Sequence, residues 1–159
     1  MNSINVLCIG DIVGKPGRAA LAKQLKAITS ENNIHFVVAN IENAAGGFGV
    51  TKRIYKECSE LGIQAFTSGN HIFDKREIMD DMESYSRLVR PANFPDGCPG
   101  EGYKIFKFNT IKIGIINLMG RVFMGTNLDC PFKKFDTIHE QIKDDVDIIF
   151  VDFHAETTS

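Results

Sequence analysis

Short apolar runs of strand length alternate along this chain with stretches whose apolar residues recur every three or four positions. Residues 4–10 (Ile-Asn-Val-Leu-Cys-Ile-Gly) are nearly all apolar, the pattern of a strand covered on both faces. From Pro16 or Gly17 to about Glu31, Leu21, Leu25 and Ile28 share one face of a predicted helix, with proline favourably near its start. Residues 34–41 predict a second buried strand. Thr51 is placed to cap a helix ending at Leu61, in which Ile54, Cys58 and Leu61 keep helical spacing and Gly62 supplies the stop. Residues 63–67 predict a third strand. Asp74 and Glu77 have capping-box spacing and predict a further helix to about Glu83.

Beyond this β-α-β-α-β-α order, residues 90–102 are rich in proline and glycine and read as loop. Residues 103–108 and 111–118 flank Asn109-Thr110 and predict a hairpin, although Asn-Thr is a weaker turn than Asn-Gly. A helix is expected over 134–143 and a last strand over 147–153. The whole pattern predicts an α/β fold with a mostly parallel sheet flanked by helices. The chain then stops within six residues, His154-Ala-Glu-Thr-Thr-Ser159, with nothing to cover that strand. It therefore reads as a single domain over 1–159 that is truncated at its carboxyl end.

Composition narrows the classes. At 159 residues with 43% hydrophobic and 24% charged residues, the chain suits one globular domain. A net charge of −2 gives no reason to expect tight binding to long nucleic acid. The amino terminus lacks a basic region, so the first apolar run reads as a strand and not as a signal peptide. No run is long enough to span a bilayer. Cys8, Cys58, Cys98 and Cys130 form no Cys-x-x-Cys pair, which argues against a thiolate zinc site and a disulfide framework. Cys8 and Cys58 fall within apolar patterns and are expected to be buried thiols. A cytoplasmic location follows, and a homo-oligomer stays open.

In open α/β sheets ligands bind beyond the carboxyl ends of the strands. Those ends carry Asp11, then Glu42 and Asn43, then Asn70 and His71, then His154. Carboxylates, amides and imidazoles without thiolates suit magnesium, manganese, iron or zinc. Each residue also has a plainer explanation: Asp11 could cap a helix, Asn43 and Asn70 could be turn residues, and a lone histidine is commonly structural. Their coincidence at one expected edge favours a metal site. Gly10, Gly14 and Gly17 invite a nucleotide-loop reading but match neither Gly-x-Gly-x-x-Gly nor the P-loop spacing. The glycines of 44–49 read as a flexible loop, and His35 and His139 as structural.

Five segments carry a resemblance: Gly10-Asp11-Ile-Val-Gly14, Asn40-Ile-Glu42-Asn43-Ala-Ala-Gly46-Gly47, Ser68-Gly69-Asn70-His71, Asn117-Leu-Met-Gly120-Arg121 and Asp152-Phe-His154-Ala-Glu156. In this order they resemble the YmdB-like metallophosphoesterases of the calcineurin-like superfamily, from residue 4 to the last residue. The resemblance implies part of a calcineurin-like α-β-β-α sandwich and hydrolysis of 2′,3′-cyclic nucleotides or related phosphodiesters. It also implies two transition-metal ions, iron or manganese first and zinc or magnesium as alternatives, and a small phosphoester substrate. By the same resemblance Asp11 and Asn43 bind one metal, Asn70 and His154 the other, Glu42 bridges them, and His71 is the proton donor. Two such cations acidify a bridging water and clamp the phosphoryl oxygens for in-line attack. A downstream Gly-Thr-His-Thr-His segment of the family has no match here. That leaves two other readings: a non-catalytic regulatory or interaction module that kept the fold, and a Rossmann-type nucleotide-binding domain.

Overall fold

The computed structural model describes residues 3–125 and 127–157. Met1, Asn2, Thr158 and Ser159, which bound the expectations about the two termini, lie outside the described residues, as does Thr126. The chain divides into two compact units, one of residues 1–66 and 71–87, the other of residues 67–70 and 88–159.

The first unit is built on the strands β1 (Val6–Ile9) and β2 (Phe36–Asn40) and on the first two residues of β3 (Ala65–Thr67), in the sheet order β1-β2-β3. β1 and β2 run parallel, with Val6 opposite Phe36 and Ile9 opposite Ala39. Parallel neighbours need a crossover, supplied here by the helix α1 (Gly14–Glu31). Every residue of β2 is buried, as its central place requires. β1 lies at the margin of the order, so its apolar run is only half covered and Cys8 is exposed. That corrects the expectation of a fully covered first strand with a buried Cys8; Cys58 is buried as expected.

The helix α2 (Lys52–Glu60) begins where predicted, because Thr51 Oγ1 accepts the Ile54 N–H at 3.4 Å, and Gly62 ends it with φ +92°. The helix expected from Asp74 is replaced by a 3₁₀ turn over Asn70–Phe73, the short α3 (Arg76–Asp80), and a second 3₁₀ turn over Met82–Ser84. The capping box does not form: α3 starts from Lys75 without a side-chain cap. The Glu77 carboxylate instead accepts the Lys52 N–H at 2.7 Å, and Asp74 is engaged by His71. Tyr55 packs between Phe66 and Tyr85, with ring centroids 5.2 and 5.0 Å away, and these rings fill the core of the unit with Ile54, Cys58, Ile63 and Ile78.

The second unit carries β4 (Tyr103–Phe108), β5 (Ile111–Met119) and β6 (Ile148–His154), in the order β4-β5-β6. β4 and β5 form the expected antiparallel hairpin, and Asn109 takes the left-handed conformation (φ 53°) at its turn. β5 and β6 are parallel and joined by α4 (Pro131–Ile142), which starts three residues before the expected position because Pro131 serves as its first helical residue. Ile138 and Ile142 of α4 pack on Ile116 and Leu118 of β5, with Ala92, Tyr103 and Phe135 closing the cluster. β6 is only partly buried, with Val151 and Phe153 exposed.

Candidate functional site

In the first unit, the turns that leave β1 and β2 bring Asp11, Glu42 and Asn43 together. The Asn43 amide nitrogen lies 3.0 Å from Asp11 Oδ2 and 3.3 Å from Glu42 Oε1. The backbone fixes this arrangement: Ile12 N–H donates to the Asn40 carbonyl at 3.0 Å, and Gly14 N–H to the Asn43 carbonyl at 2.9 Å. Gly14 sits at φ +55°, a conformation costly for most other residues, so the chain can turn from Asp11 directly into α1. Glu42 is 1% exposed, and the His71 backbone N–H also donates to its Oε2 at 3.2 Å.

Asn43 Oδ1 is buried and has no hydrogen-bond partner. An orphaned acceptor at such a place costs free energy unless a ligand takes it up. Two carboxylates and an amide oxygen are hard donors, so this corner fits a hard or borderline cation. The residues present therefore suit the metal expected from their types.

His71 adjoins this corner and is held from two sides. Its Nδ1 lies 2.6 Å from Asp74 Oδ2, and the Phe48 ring sits 5.6 Å from the imidazole, tilted by 48°. The Asp74 contact fixes the ring and directs Nε2 away from the carboxylate, while the imidazole keeps about a third of its surface exposed. Asp74 was expected to cap a helix. Its place three residues after a histidine, directly past the 3₁₀ turn that holds that histidine, is the signal that could have identified it as a ring partner.

In the second unit, Asn70 and His154 meet: His154 Nε2 lies 3.2 Å from Asn70 Oδ1. His154 ends β6, where its carbonyl accepts the Gly120 N–H at 2.8 Å. The approach to Asn70 is set by Asn117, a buried residue of β5 that sequence reasoning left as motif only. Its Oδ1 accepts the Ser68 N–H at 3.2 Å and its amide donates to the Asp152 carbonyl at 3.2 Å. Each unit thus assembles part of the expected donor set: Asp11, Glu42, Asn43 and His71 in the first, Asn70 and His154 in the second. His35 is structural as expected, its Nδ1 accepting the Asn5 N–H at 2.9 Å.

A family model described as YmdB-like protein matches residues 7–159. The chain belongs to the YmdB-like protein family. A 2′,3′-cyclic-nucleotide 2′-phosphodiesterase of Bacillus subtilis (strain 168) is 43% identical over 156 residues, 98% of this chain and 59% of that protein. The crystal structure of a novel phosphatase from Mycoplasma pneumoniae superposes with a TM-score of 0.90 at 35% identity, covering 99% of this chain and 57% of that one. The NAD nucleotidase of Haemophilus influenzae shares the fold, with a TM-score of 0.66 at 15% identity over 95% of this chain and 38% of that one. The expected α/β fold, with a parallel sheet flanked by helices, is therefore present. The chain spans under three-fifths of the length of these YmdB-like relatives. Among the described residues no helix is long and apolar enough to cross a membrane.

Proposed function

We propose that this chain supplies part of a metal-dependent phosphodiesterase that hydrolyses 2′,3′-cyclic nucleotides. The observation that carries the reading is the pair of carboxylates, Asp11 and Glu42, joined by the Asn43 side-chain amide whose oxygen is buried and unpartnered, with an oriented imidazole at the same corner. The name of the 43% identical relative supports the substrate class.

Asp11 and Asn43 would hold one cation, Asn70 and His154 a second, and Glu42 would serve both. Iron or manganese is the first choice for this oxygen and nitrogen set, zinc or magnesium the alternative. Such cations, when bound, supply charge that acidifies water and polarises the phosphoryl oxygens. The remaining work falls to the protein. As the water oxygen bonds to phosphorus, the bond to the ribose 2′ oxygen breaks, and that oxygen needs a proton. His71 delivers it from Nε2, with Asp74 holding Nδ1 so that the ring keeps its aim. The product is a nucleoside 3′-phosphate.

The test uses the protein at the full length of its relatives. Metal analysis should find stoichiometric transition metal, and 2′,3′-cyclic AMP should be converted to 3′-AMP in a reaction abolished by chelation and restored by manganese. A protein that retains no metal and leaves the cyclic nucleotide intact removes the enzymatic reading.

A further inference from the structure

The first unit contains a cleft, bordered by charged side chains, that uses none of Asp11, Glu42, Asn43 or His71. It has a volume of about 650 Å³ and is lined by Lys15, Arg18, Thr51, Arg53, Lys75 and Glu77. Four of these side chains are cationic and one is acidic. Arg18 is a buried wall of the cleft, held by the Ala44 carbonyl and by Glu57, whose carboxylate also reaches Arg53 at 3.4 Å. Among the described residues, neither Lys15 nor Lys75 has a carboxylate partner.

Two helices begin against this cleft, and both begin with the wrong charge. The positive end of a helix dipole ordinarily favours Asp or Glu in the first turn and disfavours cations. Neither α1 nor α2 has an acidic residue there. Lys15 stands in the first turn of α1, and Lys52 and Arg53 open α2. Lys75 immediately precedes α3 and is pressed against the 44–49 loop, where a Cβ on Gly49 would come within 2.7 Å of its Cγ. The cleft therefore gathers positive charge from side chains on three elements and from two helix starts. A single phosphate is too small to meet cations spread around such a volume, whereas a nucleotide-sized ligand suits it.

We propose that this cleft binds a chain of linked phosphates, either an inorganic oligophosphate or the phosphate tail of a nucleoside polyphosphate. Lys15, Arg53 and Lys75 contact the phosphate oxygens, and the Thr51 hydroxyl and the Gly46 backbone border them. The glycine–lysine opening of α1 thus serves an anion without matching a nucleotide-binding loop.

Isothermal titration of the full-length protein with inorganic tripolyphosphate, ATP and orthophosphate tests this. Tripolyphosphate and ATP should bind at least about tenfold more tightly than orthophosphate, since several charge-assisted contacts replace one. Equal affinity for tripolyphosphate and ATP supports recognition of the phosphate chain alone, and tighter ATP supports a nucleoside polyphosphate. The Lys15→Ala/Lys75→Ala double variant should lose about tenfold or more in affinity, and Arg53→Gln should weaken binding in the same direction. Asp11→Asn should bind as the unaltered protein does. Undiminished binding by the double variant, orthophosphate binding as tightly as tripolyphosphate, or loss of binding in Asp11→Asn would overturn the proposal.

Discussion

His71 Nδ1 and Asp74 Oδ2 stand 2.6 Å apart, a pairing made within one turn of the chain and beside the buried Glu42 carboxylate. In the full-length protein, the proposed activity predicts that His71→Ala leaves metal content nearly unchanged and lowers turnover of a cyclic nucleotide by roughly two to four orders of magnitude. Asp74→Asn should cost less, about 10- to 100-fold, because it only aims the ring. An ester with a nitrophenyl leaving group needs no proton on departure, so both losses should shrink with it. Steady-state kinetics and metal analysis of the variants decide the matter. Loss of metal would make His71 a ligand, and equal slowing of both substrates would assign it to positioning.

Glu42 and Asn43 share a corner but carry different charge. Glu42→Gln should deplete bound metal more than Asn43→Ala, because a carboxylate neutralises cation charge and an amide contributes one neutral oxygen. Elemental analysis of the two full-length variants gives the answer. Equal metal in both would take Glu42 out of the bridging role.

Asn117 is fully buried and satisfies two backbone groups, the Ser68 N–H and the Asp152 carbonyl. Asn117→Ala removes both partners at once. Unfolding free energy from urea titration should fall by about 2–3 kcal/mol, the cost of leaving a buried donor and acceptor unmet. A loss below about 1 kcal/mol would mean that water or a shift of the Ser68 backbone replaces the side chain.

Burial pushes the Cys58 thiol up from its ordinary 9.0 to about 11. In the unfolded chain the thiol ionises first, so between these values the folded state holds the extra proton. Stability should therefore be intact below pH 9 and decline as pH rises from about 9 to 11, by about 3 kcal/mol at most. Tyr85, pushed up to about 12 by burial, adds a loss of the same sign at higher pH. Urea midpoints at pH 8, 9.5 and 10.5 should drop more steeply in the unaltered chain than in Cys58→Ala. Parallel slopes would discharge Cys58 from this role.

The alternation of apolar runs was enough to place every strand and three of the four helices, because buried strands and Thr51-type caps leave local marks. An apolar run cannot tell a central strand from a marginal one, which is why Cys8 was expected inside. Asp74 shows a second limit. One carboxylate can cap a helix or bind a neighbouring imidazole, and the spacing permits both; only the folded turn chooses. The strand ends predict Asp11, Glu42, Asn43, Asn70, His71 and His154 at one edge; the structure brings Asp11, Glu42 and Asn43 together in the first unit and Asn70 with His154 in the second. The sequence could not show that Asn43 would be left with an orphaned oxygen, since that depends on which way an amide faces. The cationic cleft leaves no mark in the sequence because Lys15, Arg53 and Lys75 lie far apart along the chain and belong to no motif.

The loop that precedes β4 holds one more device. Asn93 is fully buried; its Oδ1 accepts the Met119 N–H at 2.8 Å and its Nδ2 donates to the Met119 carbonyl at 2.8 Å. A side-chain amide has the same donor and acceptor as a peptide group, so at the last residue of β5 a single asparagine stands in for a neighbouring strand. The frayed end of a strand is normally the first place where amide protons trade with solvent. Here the Met119 proton is closed off as if it lay mid-ladder, and hydrogen–deuterium exchange would read β5 as ending one residue later than a bare strand could.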